Sequence, residues 1–159
     1  MKTTIAAALA ALSALAALTL TACASSADKE AQRDNDFARS ERRLEAAQTA
    51  ATATCRDQAQ CDQAWQLTKD YVTQHSEEPV VRSDAVAIES DVPGRSGHAV
   101  YSANRTANGN GATITLYAQC RGMYGPERAM GSDYDECVKK IVTTQNGFVP
   151  FLEQHLSAH

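Results

Sequence analysis

The chain has 159 residues, 15 Lys plus Arg against 19 Asp plus Glu, and a formal net charge of -4. An acidic balance of this kind argues against nucleic acid, whose binders carry a basic face to neutralise phosphates, and against a polybasic membrane surface. The length beyond the leader described below allows one domain, of a size at which disulfides help a marginal core.

The first element is a leader. Lys2 gives a basic start, and Ile5 to Leu20 is an apolar run of Ala and Leu interrupted only by Ser13 and Thr19. Such a run is short for a transmembrane helix, which needs about 20 apolar residues, and it has the layout of a signal peptide. Leu20-Thr21-Ala22-Cys23 ends it. These four residues resemble the lipobox of bacterial lipoproteins, and the resemblance covers residues 1–26. It implies that Cys23 takes a diacylglyceryl group, that residues 1–22 are removed, and that a palmitate or similar chain is added to the freed amine. Two or more chains anchor stably where one binds only marginally. Residue 24 is Ala rather than Asp, which by resemblance to the enterobacterial sorting rule implies the outer membrane, with the domain facing the periplasm.

Residues 23–54 then read as the lipidated cysteine and a stalk. Asp28 to Ala53 lacks Gly and Pro and is rich in Ala, Glu, Gln, Arg and Asp, a composition of good helix propensity. Only Phe37 and Leu44 supply apolar bulk, seven apart, so a solvated and partly helical stalk is expected.

Residues 55–159 are expected to form a single disulfide-braced domain. Asp62 to Ser76 has Trp65, Thr68, Val72 and His75 at helical spacing, with Ala64, Leu67 and Tyr71 widening the face. Val80–Asp84 and Val86–Ser90 are short β-branched runs, Ser90 to Gly97 is a Pro- and Gly-marked loop, and His98 to Thr106 reads as a third strand. Asn108-Gly109-Asn110-Gly111 is a hairpin signal. Ala112 to Cys120 alternates apolar with polar residues, which predicts an antiparallel sheet covered on one face. Ser132 to Glu136 supplies capping groups for a closing helix with Cys137, Val138, Ile141, Val142 and Thr144 on its inner side; Asn146-Gly147 is a plausible stop, with a further turn or two over Phe148 to His155.

Four cysteines follow Cys23: Cys55, Cys61, Cys120 and Cys137. An even set in an exported protein reads as disulfides. The spacings C-x5-C and C-x16-C lack the short knuckles of zinc sites and the C-x-x-C of redox dithiols. Three pairings are open; the order of elements favours Cys55–Cys61 with Cys120–Cys137. The fold expected is α+β: a small antiparallel sheet of about four strands, helices on one face, in the order helix, strands, helix. Over residues 62–157 that order resembles the helix-grip domains of outer-membrane assembly accessory lipoproteins of the BamC type, with the two disulfides as a departure.

The sequence shows no nucleophile elbow, no H-E-x-x-H motif and no phosphate loop, so no catalytic residues, metal or cofactor are assigned and a non-enzymatic role is expected. One segment invites a partner. Arg121 to Gly131, between two of the cysteines, is Gly-rich yet carries Arg121, Met123, Tyr124, Arg128 and Met130, types enriched at interfaces. The expectation is therefore an outer-membrane lipoprotein that binds or scaffolds an envelope protein. The alternatives are an inhibitor of a hydrolase such as lysozyme and an envelope enzyme whose site is assembled from distant residues.

Overall fold

The computed structural model describes residues 2–126 and 129–157, with side chains from Ser26 onward. The chain divides into two compact units, Met1–Arg39 and Ser40–His159. The described residues of the first unit belong to helix α1, Lys2–Ala50, and hold an exposed ion pair one turn apart, Asp36 to Arg39 at 2.8 Å. The side chain of Cys23 lies outside the described residues. No helix among the described residues is long and apolar enough to cross a membrane.

The second unit contains the end of α1, then β1 (Thr52–Cys55), α2 (Gln58–His75), β2 (Val80–Ser83), β3 (Ala87–Ser90), β4 (Ala99–Asn108), β5 (Gly111–Cys120) and α3 (Tyr134–Leu156). The fold is α+β. Five strands form one antiparallel sheet in the order β1-β5-β4-β3-β2, and the helices pack on it. The compact unit starts at Ser40, before residue 55, because the last turns of α1 are built into the core. Ala47 and Ala51 are buried to 1% and 0% exposure, and the Gln48 amide donates to the Leu116 carbonyl at 3.0 Å. The chain then enters the sheet as β1, beside β5.

Alternation in β4 and β5 sets the two faces. Tyr101, Ala103, Ile114 and Leu116 point into the core with Ile88 of β3. Against them lie Ala64, Tyr71 and Val72 of α2 and Phe148 and Leu152 of α3. Trp65 is half-buried at the edge of this core, and its indole N–H donates to the Asp84 carbonyl at 2.8 Å.

Helix α2 starts earlier than its apolar stripe suggests, because Asp57 caps it: the carboxylate accepts the Gln60 N–H at 2.9 Å. Helix α3 runs uninterrupted through Asn146-Gly147 and Pro150 to Leu156, where the dipeptide reads as a stop. The reason is tertiary. A Cβ on Gly147 would lie 2.8 Å from the Tyr71 hydroxyl, which donates to the Thr144 carbonyl at 2.7 Å. This glycine is there for a close approach between helices. Gly111 has the same role at the sheet, since a Cβ there would stand 1.9 Å from the Cys55 carbonyl oxygen.

Two disulfides are present, Cys55–Cys61 and Cys120–Cys137, with Cα separations of 5.1 and 5.7 Å. The first pins the end of β1 to the start of α2. The second ties the end of β5 to the first turn of α3.

Candidate functional site

The described residues of the loop between Cys120 and Cys137 are more ordered than a Gly-rich composition suggests. Tyr124 and Met130 form an antiparallel bridge. The Gly131 N–H donates to the Met123 carbonyl at 2.8 Å and the Gly125 N–H to the Ala129 carbonyl at 2.9 Å. These bonds pair residues 123–125 with 129–131, and a disulfide fastens the segment at its base.

Of the five residues singled out there, the four described ones differ in exposure and in what they touch. Met123 is 5% exposed and fills the edge of the core. Tyr124 and Met130 are 39% and 43% exposed. Arg121 donates from Nη1 to the Gly94 carbonyl at 3.0 Å and reaches the Pro93 carbonyl at 3.4 Å, so it steadies the neighbouring loop. Arg128 lies outside the described residues.

Glu41 is a residue that the sequence reading did not find. The Tyr124 hydroxyl donates to Glu41 Oε1 at 3.0 Å and lies 3.3 Å from Oε2; the Tyr134 hydroxyl donates to Oε1 at 2.7 Å. The two rings meet edge to face with centroids 6.1 Å apart. Tyr134 is buried, and its phenol is pushed well above its ordinary range, first by burial and then by the Glu41 carboxylate it donates to. The loop is thus held from two sides, by the disulfide and by the last turns of α1. Between them lies an open groove of about 550 Å³, lined by Glu41, Leu44 and Gln48 on one side and Met123, Tyr124 and Ile141 on the other. Leu44 is one of the two apolar residues of the stalk sequence. Its neighbours Ala47 and Ala51 gave no signal because alanine is ordinary in a solvated helix.

A second cleft, about 510 Å³, lies beside α3 and is lined by His75, Glu77, Tyr101, Glu136 and Lys140 among others. Three of its charged groups, Lys140, Glu77 and Glu136, are spent on one another. Lys140 Nζ donates to both Glu77 oxygens at 2.9 Å, to the Gly97 carbonyl at 2.7 Å, and pairs with Glu136 at 2.9 Å. Burial works against the Lys140 charge, but Glu136 and Glu77 outweigh it and hold the ammonium above its ordinary range. His75 Nδ1 lies 2.9 Å from the Tyr71 carbonyl, and its ring stacks on Tyr71 at 3.9 Å. The geometry suits a brace between α3 and the loop around Gly97.

Asp133 is the N-cap residue of α3, yet its side chain makes no cap hydrogen bond, where the sequence suggests one. Its carboxylate instead accepts the hydroxyls of Ser96 and of Ser132, the latter at 2.6 Å. Those two bonds, Ser132 first, hold the Asp133 acid below its ordinary range. His98 Nδ1 lies 3.0 Å from Glu78 Oε1, and His155 Nδ1 lies 2.7 Å from the Phe151 carbonyl. Among the described residues, no three His, Cys, Asp or Glu side chains converge to hold a metal ion.

In comparisons with known proteins, no family model, no curated protein and no solved structure matches the chain.

Proposed function

We propose that this chain is an outer-membrane lipoprotein, anchored through lipid on Cys23, whose periplasmic domain binds or scaffolds an envelope protein through the loop Arg121–Gly131. The observation that carries the reading is the double fastening of that loop. A disulfide at its base and two phenol hydroxyls on Glu41 hold Tyr124 and Met130 at the surface beside an open groove. A loop ordered before binding loses less entropy on binding. An aromatic ring and a methionine supply contact area of the kind interfaces use.

A photoreactive residue at Met130 in intact envelopes tests the contact. A discrete crosslinked partner, lost when the disulfide is reduced, supports the reading, and a crosslink confined to a hydrolase favours the inhibitor alternative. The absence of any discrete partner overturns it. The anchor is tested apart: Cys23→Ala should move the protein out of the membrane fraction, because the acyl chains supply the membrane affinity. A variant that stays with the membrane refutes the anchor.

A further inference from the structure

The sheet face turned away from the helices has a surface of its own. On β1, β4 and β5 its outward residues are Thr, Ser, Asn, Gln and Tyr, with Val100 and the terminal Gly111, and no charged side chain stands among them. Strand propensity accounts for the threonines. It does not account for the missing charges, since a surface kept soluble by mixed charges carries about 25–35% Lys, Arg, Glu and Asp. The charged residues that do share the face lie toward the β2 edge, where Arg82 and Glu89 neutralise each other at 3.0 Å.

One depression interrupts the face. It measures about 240 Å³ and is lined by Glu89, Val100, Ser102 and Gln119 among others. One apolar side chain, Val100, lines it and is 5% exposed. Its rim carries a hydroxyl, an amide and a charge-compensated carboxylate. Tyr117 is 42% exposed. It is the cross-strand partner of Ser102 and stands two residues before Gln119 on the same face. Neither Ser102, Tyr117 nor Gln119 spends its side chain on a hydrogen bond to another described residue.

We infer that this face binds an uncharged, N-acetylated glycan strand. The acetamido methyl meets Val100, its amide pairs with Gln119, and sugar hydroxyls reach Ser102 and Glu89. An adjacent pyranose ring lies on the Tyr117 ring. Each part answers to a group of this face: an amide side chain offers both a donor and an acceptor, and an aromatic ring gives an apolar platform with a polar tip. Polar groups that converge on one hollow fix a ligand's orientation and supply its specificity. Neutrality decides the ligand class, since a face without charge on three strands has nothing with which to attract a phosphate or a polyanion. The inference does not rest on the loop Arg121–Gly131.

Titration calorimetry of the full-length protein in mild detergent tests it, with a tetramer of β-linked N-acetylglucosamine as the probe and a glucose tetramer as the control. The acetylated probe should bind and the glucose tetramer should bind at least tenfold more weakly. Tyr117→Ala should weaken binding tenfold or more, Tyr117→Phe should retain it, and Gln119→Leu should narrow the preference for the acetylated probe. The thermal midpoint, measured alongside, should stay within a few degrees in each variant. No binding at millimolar probe overturns the inference, as do equal binding of both tetramers and unchanged binding by Tyr117→Ala and Gln119→Leu. Should Tyr117→Ala fail to fold, Tyr117→Phe and Gln119→Leu still decide. A concentration-dependent dimer of the wild type that Gln119→Leu abolishes, and that the probe does not disperse, would assign the face to a second copy instead.

Discussion

Replacing Gly147 by Ala should destabilise this protein, although the position lies inside a helix where Ala is ordinarily the better residue. In an exposed helix the exchange gains about 1 kcal/mol. Here the new methyl carbon would lie 2.8 Å from the Tyr71 hydroxyl, the one atom within 4 Å beyond its adjoining residues and its own helix's backbone. The ring cannot readily retreat, because Tyr71 packs against His75, Phe148 and Phe151 at centroid distances of 3.9, 5.5 and 4.9 Å. Displacing the hydroxyl costs about 1 kcal/mol for the bond to the Thr144 carbonyl and about 1–3 kcal/mol for overpacking. The net loss is therefore about 1–3 kcal/mol, a fall in Tm of roughly 4–12 °C for a domain of this size. Tyr71→Phe removes the one obstructing atom. In that background only the helix term remains, so Gly147→Ala should raise Tm by a few degrees. The assay is a double-mutant cycle of thermal and urea unfolding followed by circular dichroism, and the sign reversal is the signature. If Gly147→Ala shifts stability by the same amount in both backgrounds, the hydroxyl moves aside freely and the reasoning fails.

Changing Cys120 and Cys137 together to Ser opens a loop with a sequence separation of 17; the chain-entropy model gives a loss of about 3 kcal/mol, checked by urea unfolding, and loop crosslinking at Met130 should fall with it. Asp57→Ala removes the cap of α2 and should cost about 1 kcal/mol by the same assay, while Asp57→Asn should cost much less. Raising pH should destabilise the fold from about pH 10: burial, with a smaller contribution from Tyr101, pushes the Tyr71 phenol up to about 12. The folded value exceeds the unfolded one of about 10, so this contribution is full below pH 10 and is lost as pH rises through 12. Urea titrations at pH 9 to 12 should show this loss, and Tyr71→Phe should reduce it. Tyr124→Ala should change Tm by no more than a few degrees, since the ring is 39% exposed, while weakening the loop's crosslinks; a large fall in Tm would assign the ring to the core.

Much of the framework is legible in the chain itself. Alternation over residues 112–120 gives a strand with one covered face because side-chain direction has period two, and Ile114 and Leu116 do lie in the core. The stripe Thr68, Tyr71, Val72 and the set Cys137, Val138, Ile141 and Val142 mark the inner faces of α2 and α3. The two cysteine pairings follow from which elements those faces bring together. These are short-range regularities, written in neighbouring residues.

What the chain could not disclose depends on contacts between distant segments. The residues 40–54 read as stalk because alanine and glutamine suit a solvated helix; only the packing of Ala47 and Ala51 and the bond from Gln48 to the Leu116 carbonyl place them in the domain. Glu41 looks like any surface acid until two phenols from beyond residue 120 meet it. Gly147 reads as a helix stop until Tyr71 is set against it. The hollow beside Tyr117 needs β3, β4 and β5 in register before Glu89, Ser102 and Gln119 share a rim. Local sequence determines which groups each segment offers and on which face. Only the tertiary arrangement decides which of them meet, because a meeting of side chains far apart in the chain leaves no periodic trace in either segment.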